Sequence, residues 1–375
     1  MLYTDAFVFL PGQGFVRGGF AVEEGRFAAV FRGERKGGLD LGGAYVIPGL
    51  VDVHTHGAAG ADFSDGDAAG LRRMAAHLAK RGVTSFAPTS MTLPYETLEK
   101  AFATAAELAA ERPAGCARVM GIHMEGPFFS EKKKGAQNGA YLKKPDFEGF
   151  RKLQEGCGGL VRIVDVAPEL EGAAAFTEQA RELCTVSVAH TDANYDEARA
   201  VFEAGARHLT HTFNAMPGIH HRKPGPIGAA SERGDVIAEL ICDGLHVHPS
   251  AVRMAFRLFP GRICLISDSL RCCGMPDGEY ELGGQQVFLS GGIARLADGT
   301  IAGAASDLFT DMRNAVAFGI PKEEAILAAT IRPAREIGRG SEIGSIEEGK
   351  LADFVVCGED LSPRAVCIGG ELTTL

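Results

Sequence analysis

The stretch Val46–Gly57, VIPGLVDVHTHG, is a run of apolar strand-forming residues that ends on two histidines one residue apart. On an extended chain, residues i and i+2 point to the same side, so His54 and His56 face one spot. The pair fits a metal site, but it also fits two hydrogen-bonded histidines at a strand end. Because a metal site needs three or four converging ligands, the pair alone does not decide between the two.

The composition of the 375-residue chain is that of an ordinary globular protein, with 46% hydrophobic and 23% charged residues. The formal net charge of −10 argues against nucleic acid or an anionic membrane as the main partner, because phosphate binding requires a basic surface. The sequence shows no signal-peptide pattern and no apolar run long enough for a membrane span. Nine cysteines are scattered without paired spacing, so we expect free thiols and a cytoplasmic protein.

Eight apolar or β-branched segments predict buried strands, and helical patterns lie between them. The predicted strands are Tyr45–Val53, Thr84–Ser90, Arg118–Met124, Leu160–Val166, Cys184–Ala189, His208–Phe213, Val236–Cys242 and Ile263–Asp268. The predicted helices include Asp67–Arg81, Tyr95–Glu111, Tyr195–Ala204 and Asp307–Phe318. Eight strands with crossovers predict an α/β fold, a (β/α)8 TIM-type barrel over residues 46–341.

The two ends of the chain do not follow the barrel pattern. Residues 1–45 and 342–375 contain short strands with turn residues between them. Isolated hairpins are marginally stable in water, so we expect these segments to pair with each other. They predict a small β-sandwich domain built from both termini.

Polar residues follow the predicted strands at the end of the barrel where active sites lie. His54 and His56 are joined there by four further residues: Glu125, His190, His211 and Asp268. Four imidazoles and two carboxylates offer ligands for one or two divalent cations, with a carboxylate as a bridge. The loop His220–Pro226, HHRKPGP, is a basic cluster that suits either an anion or solvent.

The motifs IPGLVDVHTHG, HMEGPF, AHTDA, THTFNAMPG, DGLHV, ISDS and GSIEEGKLADFVV occur in this order. Together they resemble the amidohydrolase superfamily, and within it the enzymes that deacetylate N-acetylglucosamine 6-phosphate. The resemblance covers essentially the whole chain. It implies hydrolysis of N-acetyl-D-glucosamine 6-phosphate to D-glucosamine 6-phosphate and acetate, in amino sugar catabolism.

The resemblance also implies roles for individual residues. Glu125, His190 and His211 would hold a divalent ion, and the presence of His54 and His56 favours a second ion bridged by Glu125. Asp268 would be the catalytic general base and acid, acting on a hydroxide that the metal activates, and would also lie among the metal ligands. The residues implied in substrate binding are Gln137, Asn214, Ala215, Arg222 and His246, with Arg222 reaching the partner's site across a homodimer.

Two residues depart from the family's pattern. Gln137 stands where a histidine is usual, and glutamine donates a hydrogen bond but cannot become a cation. Lys223 stands where a glutamate is usual, which makes the loop more basic. Zinc is the first expectation for the metal, while iron, manganese and cobalt suit the same ligands.

Three alternatives remain open from the sequence. The nearest is the deacetylase of the galactosamine epimer, since no motif separates the two sugars. A different amidohydrolase, such as a cyclic-amide hydrolase, is disfavoured by Glu125 at the bridging position and by FNAMPG. A non-catalytic binding protein on a barrel would be favoured by a missing ligand or a missing Asp268, and all are present.

Overall fold

The computed structural model describes all 375 residues, and its strands fall into three parts of the chain. The N-terminal part contains β1 (Leu2–Leu10), β2 (Gly14–Glu23), β3 (Arg26–Arg32) and β4 (Leu39–Pro48). The middle part contains β5 (Leu50–Thr55), β6 (Gly57–Ala58), β7 (Ala61–Asp62), β8 (Val83–Ser90), β9 (Arg118–Val119), β10 (Ile122–Met124), β11 (Val161–Val166), β12 (Thr185–Val188), β13 (His208–Leu209), β14 (Ile237–Ile241) and β15 (Ile263–Ile266). The last part contains β16 (Gly278–Leu282), β17 (Gln285–Ser290), β18 (Ile293–Leu296), β19 (Ile301–Ala304), β20 (Phe354–Cys357), β21 (Pro363–Ile368) and β22 (Glu371–Thr374).

Helices separate most of the central strands. They are α1 (Ala68–Lys80), α2 (Tyr95–Glu111), α3 (Phe147–Gly156), α4 (Ala173–Ala180), α5 (Tyr195–Glu203), α6 (Gly225–Ser231), α7 (Pro249–Leu258), α8 (Leu308–Ala317), α9 (Lys322–Ala329) and α10 (Ile331–Glu336). Local signals set their starts: the Asp67 side chain accepts from the first backbone amides of α1, and Asn194 forms a capping box with Glu197 in α5. No helix combines the length and the apolarity needed to cross a bilayer.

Eight parallel strands form a barrel in the order β15-β14-β13-β12-β11-β10-β8-β5. The last and first strands meet beyond β15, where Thr55 bridges Ser269 and the Asp268 amide donates to the His54 carbonyl at 2.9 Å. Helices and strands share a large apolar core between the barrel and its outer layer. The predicted (β/α)8 TIM-type barrel is confirmed, and its closure places Asp268 beside the histidine pair.

Three of the predicted strands differ from the structure. Arg118–Met124 is broken into β9 and β10, with Met120 and Gly121 between them. Tyr45–Val53 is wrong as one strand, because the chain leaves β4 at Pro48 and starts β5 at Leu50 in another sheet. A Cβ on Gly49 would come within 2.2 Å of the Thr84 hydroxyl, so glycine is required at this crossing. The strand predicted at His208–Phe213 ends at Leu209, because His211 and Phe213 have positive φ and turn the chain away.

The two termini build one mixed sheet in the order β22-β21-β20-β4-β1-β2-β3. Aromatic rings fill its concave side, with the Phe20 ring 5.0 Å from Tyr3 and 4.9 Å from Phe354. The edge strand β3 returns to the segment before β20, where Arg26 bridges Leu351, so the sheet wraps around its own core. The fold class is therefore α/β, a barrel with a small β-sandwich domain built from both termini. The domain limits at 45/46 and 341/342 stay a prediction.

An antiparallel sheet, β16-β17-β18-β19, lies between β15 and the next helix and was not predicted. Its sequence alternates polar and apolar residues, and Gly-Gly pairs stand at both of the first two turns, which is the usual hairpin pattern. Ser269 pairs with Ala304 at its end, so the sheet is anchored at the mouth of the barrel.

Candidate active site

The six predicted metal ligands come together at the carboxyl ends of the barrel strands. All six are buried: His54, His56, Glu125, His190, His211 and Asp268. They follow five strands, with His54 and His56 both at the end of β5, and these apolar strands hold each side chain at the mouth of the barrel.

Their ligand atoms form two overlapping groups. In the first, Glu125 Oε1 lies 3.1 Å from His190 Nε2 and 3.1 Å from His211 Nε2, and the two nitrogens are 3.0 Å apart. In the second, Asp268 Oδ1 lies 3.5 Å from His54 Nε2 and 3.2 Å from His56 Nε2. Glu125 joins the groups, because its two oxygens also lie 3.6 Å and 3.3 Å from those same two nitrogens.

Hydrogen bonds orient three of the four imidazoles. His190 Nδ1 donates to the Lys133 carbonyl at 2.9 Å, and His56 Nδ1 donates to the Thr89 carbonyl at 3.1 Å. His54 Nδ1 donates to the carboxylate of Glu239 at 2.9 Å. With the proton fixed on Nδ1, each ring presents the lone pair of Nε2 toward the other ligands.

This donor set fits one or two divalent ions. Ligands 2.0–2.1 Å from an ion in a tetrahedral site are roughly 3.3 Å from each other, and the separations within both groups are close to that. His54 Nε2 is buried and has no hydrogen-bond partner, although it faces two carboxylates. The lone pair of His54 Nε2 has no donor, and the Nε2 atoms of His190 and His211 face each other at 3.0 Å. A cation bound by these atoms accounts for both features. Nitrogen and carboxylate donors suit zinc, iron, manganese and cobalt.

The neighbouring imidazoles favour the ionised form of both carboxylates of the site. Burial opposes the charge of Glu125, but the adjacent imidazoles of His190, His211 and His56 outweigh it and hold the pKa of Glu125 well below its usual range. Burial also opposes the charge of Asp268, and the nearby His54 and His56 lower its pKa. Each carboxylate is therefore available as a ligand or proton acceptor at neutral pH.

The backbone is unusual at three of these positions. His190, His211 and Asp268 have φ of 42°, 28° and 49°, in the left-handed region that non-glycine residues rarely adopt. Left-handed backbone turns each side chain at the point where its strand ends. Such conformations cluster at functional sites, because the surrounding fold must hold them.

One residue of this network was missed by the sequence reasoning. Glu239 accepts from His54 Nδ1 and from His208 Nε2, both at 2.9 Å, and from the His211 amide at 3.1 Å. Burial opposes its charge, but His54 and His208 hold the pKa of Glu239 well below its usual range. The signal in the sequence was a lone carboxylate inside the apolar segment VIAELIC, since a buried charge must have partners.

A cavity of about 210 Å³ opens next to the six side chains. Four of the predicted substrate-binding residues line it: Gln137, Asn214, Ala215 and His246. The walls also include Leu282, Thr300 and Ile301 from the sheet that was not predicted. Arg222 does not line this cavity; it is exposed, and its guanidinium contacts His221 Nε2 at 2.8 Å.

Two hydrogen bonds, one at the oxygen and one at the nitrogen, hold the side-chain amide of Gln137. Its Oε1 accepts from the Thr92 amide at 2.7 Å, and its Nε2 donates to Glu125 Oε2 at 2.6 Å. These bonds fix which end of the amide faces Glu125 and leave one N–H of Gln137 for another acceptor. Across the cavity, His246 Nδ1 donates to the Asp243 carboxylate at 2.7 Å, so Nε2 of this ring is an acceptor.

The fold and the site define a class of protein. Residues 45–373 match the profile of the amidohydrolase family, and the chain belongs to this family. Its relatives are deacetylases of amino sugar phosphates. The N-acetylglucosamine-6-phosphate deacetylase of Bacillus subtilis is 38% identical over 321 residues, which cover 84% of this chain and 81% of the relative.

Two further comparisons agree. The N-acetylgalactosamine-6-phosphate deacetylase of Escherichia coli O157:H7 is 36% identical over 331 residues, covering 88% of each chain. A mutant of the N-acetyl-D-glucosamine-6-phosphate deacetylase of Mycobacterium smegmatis, solved with N-acetyl-D-glucosamine-6-phosphate, superposes with a TM-score of 0.94 at 34% identity. That alignment covers 100% of this chain and 99% of the other.

Proposed function

We propose that this chain hydrolyses N-acetyl-D-glucosamine 6-phosphate to D-glucosamine 6-phosphate and acetate, as a step of amino sugar catabolism. The observation that carries the proposal is the contact of Asp268 Oδ1 with the His56 imidazole at 3.2 Å, beside the triad of Glu125, His190 and His211. A carboxylate beside a cluster of metal-ligating groups, at the edge of a closed-in cavity, suits hydrolysis of an amide.

One or two divalent ions would be held by the two groups of ligands, and zinc is the ion that we propose. Glu125, His190 and His211 form the first group, while His54, His56 and Asp268 form the second. A bound ion supplies a Lewis acid for the acetyl carbonyl and makes water more acidic. Because Glu125 contacts both groups, it is the residue that would bridge two ions.

Asp268 moves the proton in this proposal. As water adds to the acetyl carbon, the carboxylate accepts the proton that the water loses. The C–N bond then breaks, and Asp268 delivers the same proton to the departing nitrogen of the sugar. The water oxygen ends in acetate and the proton on the amine, so the aspartate returns to its ionised form.

The remaining predicted residues would hold the substrate. Gln137 has an N–H to offer to the acetyl oxygen, and His246 Nε2 accepts from a sugar hydroxyl. The backbone at Asn214 and Ala215 would meet the phosphate. Arg222 is exposed and lies outside the cavity of its own chain, which supports a homodimer in which it reaches the other subunit's phosphate.

All nine cysteines are free thiols, which supports a cytoplasmic location.

The galactosamine epimer is the second candidate, and the relative from Escherichia coli O157:H7 favours it. Acetate release should be measured with both N-acetylhexosamine 6-phosphates and with unphosphorylated N-acetylglucosamine. We expect the highest kcat/KM with N-acetylglucosamine 6-phosphate. A higher value with the galactosamine compound would establish the second candidate, and no acetate from either phosphate ester would exclude both.

A further inference from the structure

A second polar cavity, of about 310 Å³, lies at the opposite end of the barrel from the candidate active site. Its wall is made where four neighbouring strands begin, at Arg162, Thr185, Arg207 and Asp235, and where α10 ends, at Arg335 and Glu336. With Arg181, four arginines line this space, which we call the lower cavity. In a chain with a net charge of −10, so many cations in one cavity is unexpected.

The carboxylates of the lower cavity form their hydrogen bonds and ion pairs with groups other than Arg162, Arg207 and Arg335. Each one has another partner: Asp235 binds Arg233 through two contacts of 2.9 Å and 3.1 Å, Glu182 binds Arg181 at 3.2 Å, and Glu336 accepts from His208 Nδ1 at 3.1 Å. The guanidinium groups of Arg162, Arg207 and Arg335 form no hydrogen bond and no ion pair with any other residue of the chain. The lower cavity therefore holds three guanidinium groups that have no bonded partner in the chain.

Arg162 is the most constrained of the three. Its side chain is half-buried, and its Nε–H is enclosed without an acceptor. Burial, and then the neighbouring Arg339 guanidinium, lower the pKa of Arg162 from its ordinary value. An enclosed donor on a charged group is costly in the folded protein unless an acceptor is supplied to it.

Glycines make room for the arginine side chains around the lower cavity. A Cβ on Gly121 would come within 2.5 Å of Arg162 Cγ, one on Gly205 within 2.4 Å of Arg181 Cδ, and one on Gly340 within 2.7 Å of Arg335 Cγ. Any larger residue at these three positions would displace the arginine that lies over it. The stems of Arg162, Arg181 and Arg335 are thus placed by close contact with the backbone, while Arg207 is exposed.

We propose that the lower cavity is a binding site for a small molecule that carries a phosphate group, held by Arg162, Arg207 and Arg335. A guanidinium presents paired N–H donors that match two phosphate oxygens, and phosphate offers enough oxygens for three such groups. A volume of about 310 Å³ accommodates phosphate itself or a phosphorylated metabolite. This site does not depend on the function proposed above, because it lies at the other end of the barrel.

Calorimetric titration with inorganic phosphate and with glucose 6-phosphate tests the site. The titrations are made on the Arg222→Ala protein, in which the side-chain contact proposed for the substrate phosphate at the active site is removed. We expect saturable binding there, weakened at least about tenfold when Arg162→Gln and Arg335→Gln are added. Glucose 6-phosphate binding more tightly than phosphate identifies a phosphorylated metabolite as the ligand, and the reverse identifies free phosphate.

A matched control is Arg199→Gln, since Arg199 is an exposed arginine paired with Glu203 on α5. This change should leave the titration unaltered. If the double substitution prevents folding, Arg207→Gln takes its place, because Arg207 is exposed and has no partner to lose. Binding that is equal with and without the lower-cavity substitutions, or no binding at all, overturns the proposal.

Discussion

Glu239 illustrates how a residue that touches no substrate can set the properties of the site. Its carboxylate accepts from His54 and His208 and therefore fixes the proton of His54 on Nδ1. Outer partners of this kind orient a metal-binding imidazole and make it a better ligand. His208 in turn donates its other N–H to Glu336, so the orientation of His54 is supported through the interior of the barrel.

Replacing Glu239 with glutamine should weaken metal binding without leaving a cavity in the barrel interior. In Glu239→Gln the amide nearly matches the carboxylate in shape, but it has only one oxygen for two imidazole N–H donors. We expect the affinity for the divalent ion to fall about 10-fold to 100-fold, measured by competition with a chelator.

The matched control is Asp165→Asn, another buried carboxylate of the barrel interior. Asp165 accepts from His123 at 2.9 Å and contacts none of the six candidate ligands. Metal affinity should stay within about twofold of the unmodified protein in this variant, because no ligand loses its partner. An equal loss of affinity in both variants would show that Glu239 acts through stability alone.

Some residues of the site could be predicted from the sequence and others could not. His190, His211 and Asp268 were predicted because polar residues after apolar strands stand out by position alone. Their left-handed backbone was not predicted, since none of them is a glycine. Glu239 was missed because it lies inside an apolar strand, and a strand pattern does not say which partner a buried charge will meet.

At the scale of elements, the sheet β16-β17-β18-β19 forms one side of the cavity mouth. Leu282, Thr300 and Ile301 line the cavity from this sheet, while Gln285 donates to the carbonyl of Ala136. Ala136 precedes Gln137, so this hydrogen bond connects the sheet to the segment that contacts Glu125. The sheet therefore steadies one wall of the substrate site.

Loss of that connection should affect substrate binding more than chemistry. Gln285→Ala removes one hydrogen bond, and we expect KM to rise about 3-fold to 10-fold while kcat changes less than about twofold. The control is Gln286→Ala, because the neighbouring Gln286 is exposed and bonds only to Glu279 on the same sheet. A fall in kcat at unchanged KM would contradict the positioning role of the sheet.

Two features of the elements could not be foreseen from apolar patterning. The strand predicted at Tyr45–Val53 spans two sheets, because both halves are apolar and only Gly49 marks the crossing. The sheet β16-β17-β18-β19 has clear hairpin turns, but the eight-strand barrel pattern is complete without it. The helix Tyr95–Glu111 was predicted to the residue, because a proline precedes it and its apolar positions follow a helical period.

At the scale of the whole molecule, the barrel and the terminal sheet are joined by a buried ion pair. Arg118 on β9 binds the carboxylate of Asp353, which also accepts from the Gly369 amide at 2.7 Å. Burial outweighs the attraction of Arg118 and raises the pKa of Asp353. The pair is therefore needed less as a source of stability than to prevent a lone buried charge.

Removing one partner of this pair should be costly. Arg118→Ala leaves Asp353 buried without a cation, and we expect the free energy of unfolding to fall by about 3–5 kcal/mol in urea denaturation. Arg72→Ala is the control, because Arg72 pairs with Glu111 on the exposed surface, and its loss should cost much less than the loss of Arg118. Equal losses in the two variants would mean that burial does not determine the cost.

We propose that Asp268 transfers the proton in a metal-dependent deacetylation. The most direct test is acetate release from N-acetylglucosamine 6-phosphate by Asp268→Asn, measured together with the metal content of the same protein. We predict that kcat falls at least about 100-fold, because an amide cannot accept the proton, while the ion held by Glu125, His190 and His211 remains bound. Acetate release at the rate of the unmodified protein would contradict the account.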